Sequence, residues 1–423
     1  MTDTPDHLIQ AVAAALFALA LVHTFAAKQF ERLSHRFPRH AGLFHLLGEV
    51  EVVFGFWATV LVLAIALLRG SSPALEYAES RQYTEPLFVF VVMVVAASRP
   101  VVEVVLGLTQ ALARLAPLPA SVAAAWLGLA AVPLAGSLVT EPAAMTIAAV
   151  VLGPQVFRPG IPEWIKYFAL GVLFVNVSIG GTLTSFAAPP VLMVAAAWGW
   201  DTAFMAATFG WKAALAVVVN ASIATLLLRR HLVAGDGIAP RGTVAPSVPL
   251  SVKAIHLAFL AAVVVLAHHP VAFLGVFLMF LGFAQAYERH QTPLIVKEAL
   301  LVAFFLAGLV VLGGLQQWWL QPLVSAMSPG QLFFGATALT ALTDNAALTY
   351  LGSLIEGISP AARYSLVAGA VSGGGLTIIA NAPNPAGVAL LRRGFEDESI
   401  GAAGLFAGAL LPTAIAGAAL MLL

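Results

Sequence analysis

Two short stretches set acids into otherwise apolar sequence: LVTEPAAMT, residues 138–146, and ALTDNAALT, residues 341–349. A carboxylate in such a place can hold either a proton or a cation. Burial moves proton loss toward neutral pH, and a bound cation moves it back. One carboxylate loaded alternately with each, and open to different sides in turn, is the minimum for exchange. Asp344 and Glu141 are the expected exchanging pair. Thr140, Thr343, Asn345, Thr184 and Asn381, with freed backbone carbonyls, can complete the oxygen shell that hard cations prefer. A structural reading competes for both acids. Asp344 ahead of Asn-Ala-Ala suits a helix N-cap accepting from the Ala346 or Ala347 amide. Glu141 ahead of Pro142 suits a helix start, where an acid favours the dipole. Capping and ion binding are compatible, and Asp344 has the stronger functional case of the two.

A second pair of stretches repeats downstream of these acids. SIGGTLTSFAAPP (178–190) answers SGGGLTIIANAPN (372–384) at an offset of 194 residues. The acid-bearing cores match at an offset of 203, with four of seven positions identical and an acid facing an acid. Gly180-Gly181 and Gly373-Gly374-Gly375 favour leaving helical geometry, and Pro189 and Pro383 withhold donors from the following turn. Unwound segments of this kind can turn carbonyls toward an ion, with Gly181 and Gly375 beside it. Close helix packing is the bland explanation of glycine alone, but it does not account for Gly-Gly followed eight residues later by Ala-Pro, twice.

The elements that must position these residues follow from hydropathy. The chain has 423 residues, 61% hydrophobic and 9% charged, which leaves no room for a sizeable soluble domain. Apolar spans long enough to cross a bilayer fall near 8–27, 42–68, 86–112, 164–199, 203–228, 251–268, 271–287, 294–314, 363–391 and 400–423. Segments 121–153 and 328–357 are apolar but interrupted near their middles, and read as re-entrant hairpins with non-helical tips. The expected fold is an all-α polytopic membrane protein made of two inverted repeats. Each has three transmembrane helices, a hairpin, a broken helix (164–199 or 363–391) and a final helix. The first repeat is 1–228 and the second 251–423, joined by a Gly- and Pro-rich cytoplasmic linker at 229–250. With this segmentation 15 of the 20 basic residues share one face, and only Arg69, Arg81 and Arg363 fall on the other. The positive-inside rule then makes the basic face cytoplasmic and places both termini outside. Inverted repeats with broken helices meeting at a site are a secondary-transporter architecture.

These motifs resemble the ion transporter superfamily, which includes sodium–dicarboxylate symporters, arsenite permeases and some sodium/proton antiporters. Those families carry a polar tripeptide at each hairpin tip, here Thr140-Glu141-Pro142 and Thr343-Asp344-Asn345. They also carry a Gly-Gly, Thr and Pro-Pro-Asn-like break. Here it is Gly180-Gly181, Thr184 and Pro189-Pro190, then Gly374-Gly375, Thr377 and Pro383-Asn384. The run GGGLTIIANAPNPAG looks most like a bacterial family of sodium/proton antiporters. The resemblance implies a bacterial inner-membrane protein that alternates access by moving hairpins and broken helices against a scaffold, and a homodimer. A carboxylate stands in each tip where anion-carrying relatives have neutral residues, which disfavours an anionic substrate.

The remaining intramembrane charges are Glu49, Glu51, Glu103, Arg99 and Lys212. Arg99 and Glu103 stand four apart and can pair on one helix face, and one of Glu49 and Glu51 can join them. Lys212 can pair with an acid or itself be linked to protons. Net charge is zero, so no nucleic-acid partner is expected. No nucleophile–base constellation, phosphate loop or metal-ligand spacing is present, so neither an enzyme nor a cofactor is expected. The expected partners are small cations and protons, with the lipid bilayer as solvent. The expectation is exchange of sodium or lithium for protons. The alternatives are a sodium- or proton-coupled carrier of a small anion such as a dicarboxylate, and a channel or scaffold.

Overall fold

A computed structural model describes residues 4–232 and 247–423. Residues 233–246 of the expected linker, with Arg241, and the side chain of Glu51 lie outside the described residues. Among the described residues the chain is helical throughout, with no strand. In chain order come α1 (Thr4–Arg36), α2 (Ala41–Gly48), α3 (Val50–Arg69), α4 (Ser71–Glu79), α5 (Thr84–Ala96) and α6 (Arg99–Leu115). Then follow α7 (Ala120–Leu129), α8 (Ala131–Val139), α9 (Glu141–Leu152), α10 (Glu163–Gly180), α11 (Pro189–Trp198), α12 (Thr202–Met205) and α13 (Trp211–Leu228). The remainder are α14 (Leu250–Val265), α15 (Pro270–Ala286), α16 (Val296–Gly313), α17 (Gln317–Ser325), α18 (Pro329–Thr340), α19 (Asn345–Ser353), α20 (Pro360–Gly373), α21 (Asn384–Leu391) and α22 (Ala402–Leu422). Six helices among the described residues are long and apolar enough to cross a membrane, or up to eight if each bent pair is one span.

Local chemistry explains the interruptions. Span 86–112 is two helices meeting at 65° around Ala97-Ser98, with Pro100 in the first turn of α6, where its missing N–H is tolerated. The first leg of the 121–153 segment bends by 43° at Ala130. Span 164–199 stops at Gly180, runs through a 3₁₀ turn (Gly181–Leu183) and extended residues, and resumes with Pro189-Pro190 at the head of α11. Span 363–391 stops at Gly373 and resumes at Asn384-Pro385. Two short helices that hydropathy does not resolve, α4 and α17, follow α3 and α16.

The chain forms two compact units, and neither coincides with one half of the sequence. The first holds the described residues through Phe90, with Val296–Met327 and Tyr350–Ser359. In it α3 packs on α16, with Gly55 and Gly308 at their crossing, where small residues let backbones approach. His23 accepts from Trp57 Nε1 at 3.1 Å and bonds the Leu47 carbonyl through Nε2 at 2.8 Å, tying α1 to α2 and α3. Glu49, at the joint between α2 and α3, faces Lys297 Nζ at 3.9 Å.

The second unit holds Val91–Ile295, Ser328–Thr349 and Pro360–Leu423. Its largest apolar cluster includes much of α10: Leu170, Val172, Leu173, Phe174 and Val175 have no exposed surface. A helix buried all round reads as apolar all round, which is why α10 carries few polar residues before the break. Helices α13 and α22 pack on α10, and α18 packs on α20. On α6 the expected pair forms, Arg99 Nε to Glu103 Oε1 at 2.8 Å. Glu103 Oε2 also receives Lys253 Nζ at 3.2 Å and the Val248 amide at 3.1 Å, which pins the head of α14 to α6.

Candidate functional site

Both acid-bearing stretches are turns between helices in the second unit. At the first, α8 and α9 pack against each other, with only Thr140 between them. Thr140 has φ 77° and ψ 155°, a region almost reserved for glycine, at about 1–3 kcal/mol of strain. Pro142 fixes the first turn of α9 and needs no N–H partner there. Glu141 is the first residue of α9 and has no exposed surface. Its Oε2 accepts from Asn381 Nδ2 at 2.8 Å, and its Oε1 has no hydrogen-bond partner. The first tip therefore meets the second break.

At the second turn, α18 ends at Thr340 and α19 begins at Asn345. Asp344 Oδ1 accepts from the Ala346 amide at 2.7 Å and the Ala347 amide at 3.2 Å, the expected N-cap. Asp344 is only partly buried. Asn345 is 1% exposed and donates from Nδ2 to Ser178 Oγ at 3.4 Å, on the helix leading into the first break. Ser178 Oγ in turn donates to the Val371 carbonyl of α20 at 2.8 Å.

Each break is also bonded to the end of a helix that precedes it. Ser137 Oγ donates to the Gly180 carbonyl at 2.6 Å and accepts from the Leu183 amide at 3.0 Å, while Thr184 Oγ1 donates to the Ser137 carbonyl at 2.8 Å. Thr377 Oγ1 donates to the Ala341 carbonyl at 2.9 Å. Asn384 Nδ2 bridges the Gly374 and Thr377 carbonyls at 2.8 and 2.9 Å. These side chains satisfy backbone groups that the unwinding sets free, as buried polar groups require. Glycine is needed where the pieces touch. A Cβ on Gly181 would stand 2.7 Å from Glu141 Oε1, and one on Gly374 would overlap Ser178 Oγ.

Several oxygens at the acid-bearing turns and the breaks are left over. Thr140 Oγ1, Glu141 Oε1, Asn345 Oδ1, Asn381 Oδ1 and Asn384 Oδ1 are buried without a hydrogen-bond partner. Each asparagine engages its amide hydrogens and leaves its oxygen. A buried acceptor with no donor is costly, about 1–3 kcal/mol. Oxygens are the ligands that a hard cation takes.

Of the expected residues, the structure brings Glu141, Asn381 and Gly181 into contact, with Asn345 and Thr140 adding buried oxygens. Thr184 and Thr377 tie each break to the end of a preceding helix, and Thr343 Oγ1, in the turn after α18, donates to the Leu339 carbonyl of that helix at 2.9 Å. Gly375 abuts the Val175 backbone. Lys212 belongs to a different cluster, donating to the Tyr364 hydroxyl at 2.9 Å. Ser137, Ser178 and Asn384 join the site's framework without having been singled out by type. Ser178 and Asn384 bound the repeated break motifs, and that repetition is the signal that could have found them.

Residues 8–423 match a family model described as "Putative Na+/H+ antiporter". Among curated proteins none matches the chain. Among solved structures, the chain is similar to the Alcanivorax borkumensis YdaH transporter, whose crystal structure was reported to reveal an unusual topology. Identity is 16% over 88% of this chain and 96% of that one, with a TM-score of 0.43.

Proposed function

The chain belongs to this Na+/H+ antiporter family, and from that premise we propose that it exchanges sodium or lithium for protons at Glu141, with Asp344 beside it. The observation that carries the reading is the buried Glu141 carboxylate, with one oxygen on the Asn381 amide and the other without a hydrogen-bond partner. The charge balance makes exchange obligatory. Ionised Glu141 with a monovalent cation is neutral, and protonated Glu141 is neutral. The unloaded carboxylate is a bare charge, and taking one through a low-dielectric interior is expensive. Either loaded form can therefore pass between the two faces, and the empty form is held back. Asn381 suits both states: its amide donates to the carboxylate, and rotated it offers Oδ1 to the protonated acid.

Two inverted repeats, each contributing a tip and a break, fit the crossed arrangement in which Glu141 meets Asn381 and Asn345 meets Ser178. Access alternates by shifting these tips and breaks so that the site opens to one side at a time. The distribution of basic residues supports a bacterial inner membrane location with both termini periplasmic, and a homodimer remains the expected assembly.

The test is proton flux in proteoliposomes holding a pH gradient. Sodium or lithium is expected to dissipate the gradient, and Glu141→Gln to abolish the effect. Proton and cation compete for one carboxylate, so the apparent KM for sodium falls as pH rises on the loading side. Uptake of succinate driven by sodium, with no cation–proton exchange, overturns the reading.

A further inference from the structure

The second unit carries another charged cluster, which the exchange site does not use. We propose that Arg363, flanked by Lys212, binds the phosphate of an anionic phospholipid headgroup. Lys212 follows a π-helical turn (Ala206–Gly210) at the head of α13. Its Nζ donates to the Tyr364 hydroxyl at 2.9 Å and lies 4.6 Å from the centre of that ring. The Tyr364 hydroxyl donates to the Leu420 carbonyl, so it has no proton left to offer. Arg363, the preceding residue of α20, lies over Trp198 at 5.4 Å, and its Nε is buried without an acceptor. Stacked and edge-on rings connect the two cations, from Trp198 through Trp200 (4.9 Å) and Phe209 (5.5 Å) to Tyr364 (4.7 Å).

What the cluster lacks is negative charge. Neither Lys212 nor Arg363 forms an ion pair among the described residues. Asp201, close to Trp198 in sequence, has Oδ1 engaged by the Phe204 amide at 2.7 Å as the cap of α12. Arg363 stands in the first turn of α20, the positive end of the dipole, where a cation is disfavoured. It is also among the few basic residues on the face that the charge rule makes external. Aromatic rings attract the two cations only weakly, and partly buried cations without an anion are unfavourable. A phosphate accepts from a guanidinium fork in bidentate fashion. The occupant is taken as a lipid because the cluster is rimmed by exposed apolar rings, Trp211 (50% exposed) and Phe204 (37%), suited to acyl chains and the headgroup boundary.

The test uses the full chain purified in detergent and in nanodiscs. Phosphatidylglycerol is titrated against phosphatidylcholine, retained lipid is read by native mass spectrometry, and melting is followed alongside. Wild type is expected to retain phosphatidylglycerol about tenfold over phosphatidylcholine and to melt higher with it, as charge-assisted hydrogen bonds allow. Arg363→Gln is expected to lose the preference, Lys212→Gln to weaken it and Arg363→Lys to keep part of it. Arg393→Gln, an exposed residue outside the cluster, should leave it intact. Equal retention of the two lipids by wild type overturns the proposal even if Arg363→Gln fails to fold, and so does an undiminished preference in a folded Arg363→Gln. Stabilisation by inorganic phosphate equal to that by phosphatidylglycerol overturns the lipid as source and makes this a soluble-anion site.

Discussion

The two acid-bearing turns carry the same residue types in nearly the same order, yet their acids sit differently. In the first, the acid is the opening residue of its helix, wholly buried and bonded to a side chain from the other half of the sequence. In the second, the acid stands one residue before its helix, is only partly buried and holds that helix's own amides. The residue that opens α19 and is buried as deeply as Glu141 is Asn345. Counted from the helix starts, then, Glu141 corresponds to Asn345 and not to Asp344. A one-residue difference in where the helix starts turns a pair of matched acids into one buried carboxylate and one capping carboxylate. The motif repeats, but the burial and hydrogen bonding of its acids do not.

Substitutions can break or sharpen that contrast. The largest effect is expected for Glu141→Gln, which removes the charge that the cation neutralises and should lower exchange about 100-fold or more, close to 3 kcal/mol. Next is Gly181→Ala, whose methyl would crowd Glu141 Oε1; it should raise the apparent KM for sodium about tenfold, measured as half-saturation of gradient dissipation. Ser178→Ala removes hydrogen bonds worth about 1 kcal/mol and should slow exchange several-fold while the protein stays folded. The smallest effect is expected for Asp344→Asn, because asparagine caps a helix about as well as aspartate. Exchange should stay within about threefold of wild type, whereas Asp344→Ala should cost about 1 kcal/mol in unfolding free energy. If Asp344→Asn silences exchange as fully as Glu141→Gln, the two acids act as a matched pair and the contrast fails.

Much of this was readable from residue order. Apolar runs announce the spans, and Gly-Gly with a later Pro announces each break, because those residues act through local backbone geometry. The tips were legible for the same reason: a polar pair inside an apolar run has few uses. The crossed partnership was not. Nothing in the string Thr-Glu-Pro says that Glu141 meets Asn381 rather than a residue of its own half, since that depends on how α9 and the second break cross. The hydroxyls of Ser137 and Ser178 were silent because a serine on an apolar helix is common, and only a neighbour's position gives it a role. The bend at Ala130 was also silent, because the apolar run continues through it, whereas Ser98-Arg99-Pro100 marked the other in a span read as continuous. Asp344 as a cap was legible from Asp-Asn-Ala-Ala, but its lesser burial beside that of Glu141 was not.

The backbone at Thr140 has a consequence for handling the protein. A β-branched residue does not rest at φ 77° by choice; it is kept there by the two hairpin legs and by the Ser137 clasp on the first break. Such a turn behaves like a bent spring between fingers. Should the grip slacken, in harsh detergent or on gentle warming, the turn would relax first and carry Glu141 out of register. Loss of sodium affinity should then precede any fall in helical circular dichroism, and preparations that look folded could already be deaf to their ion.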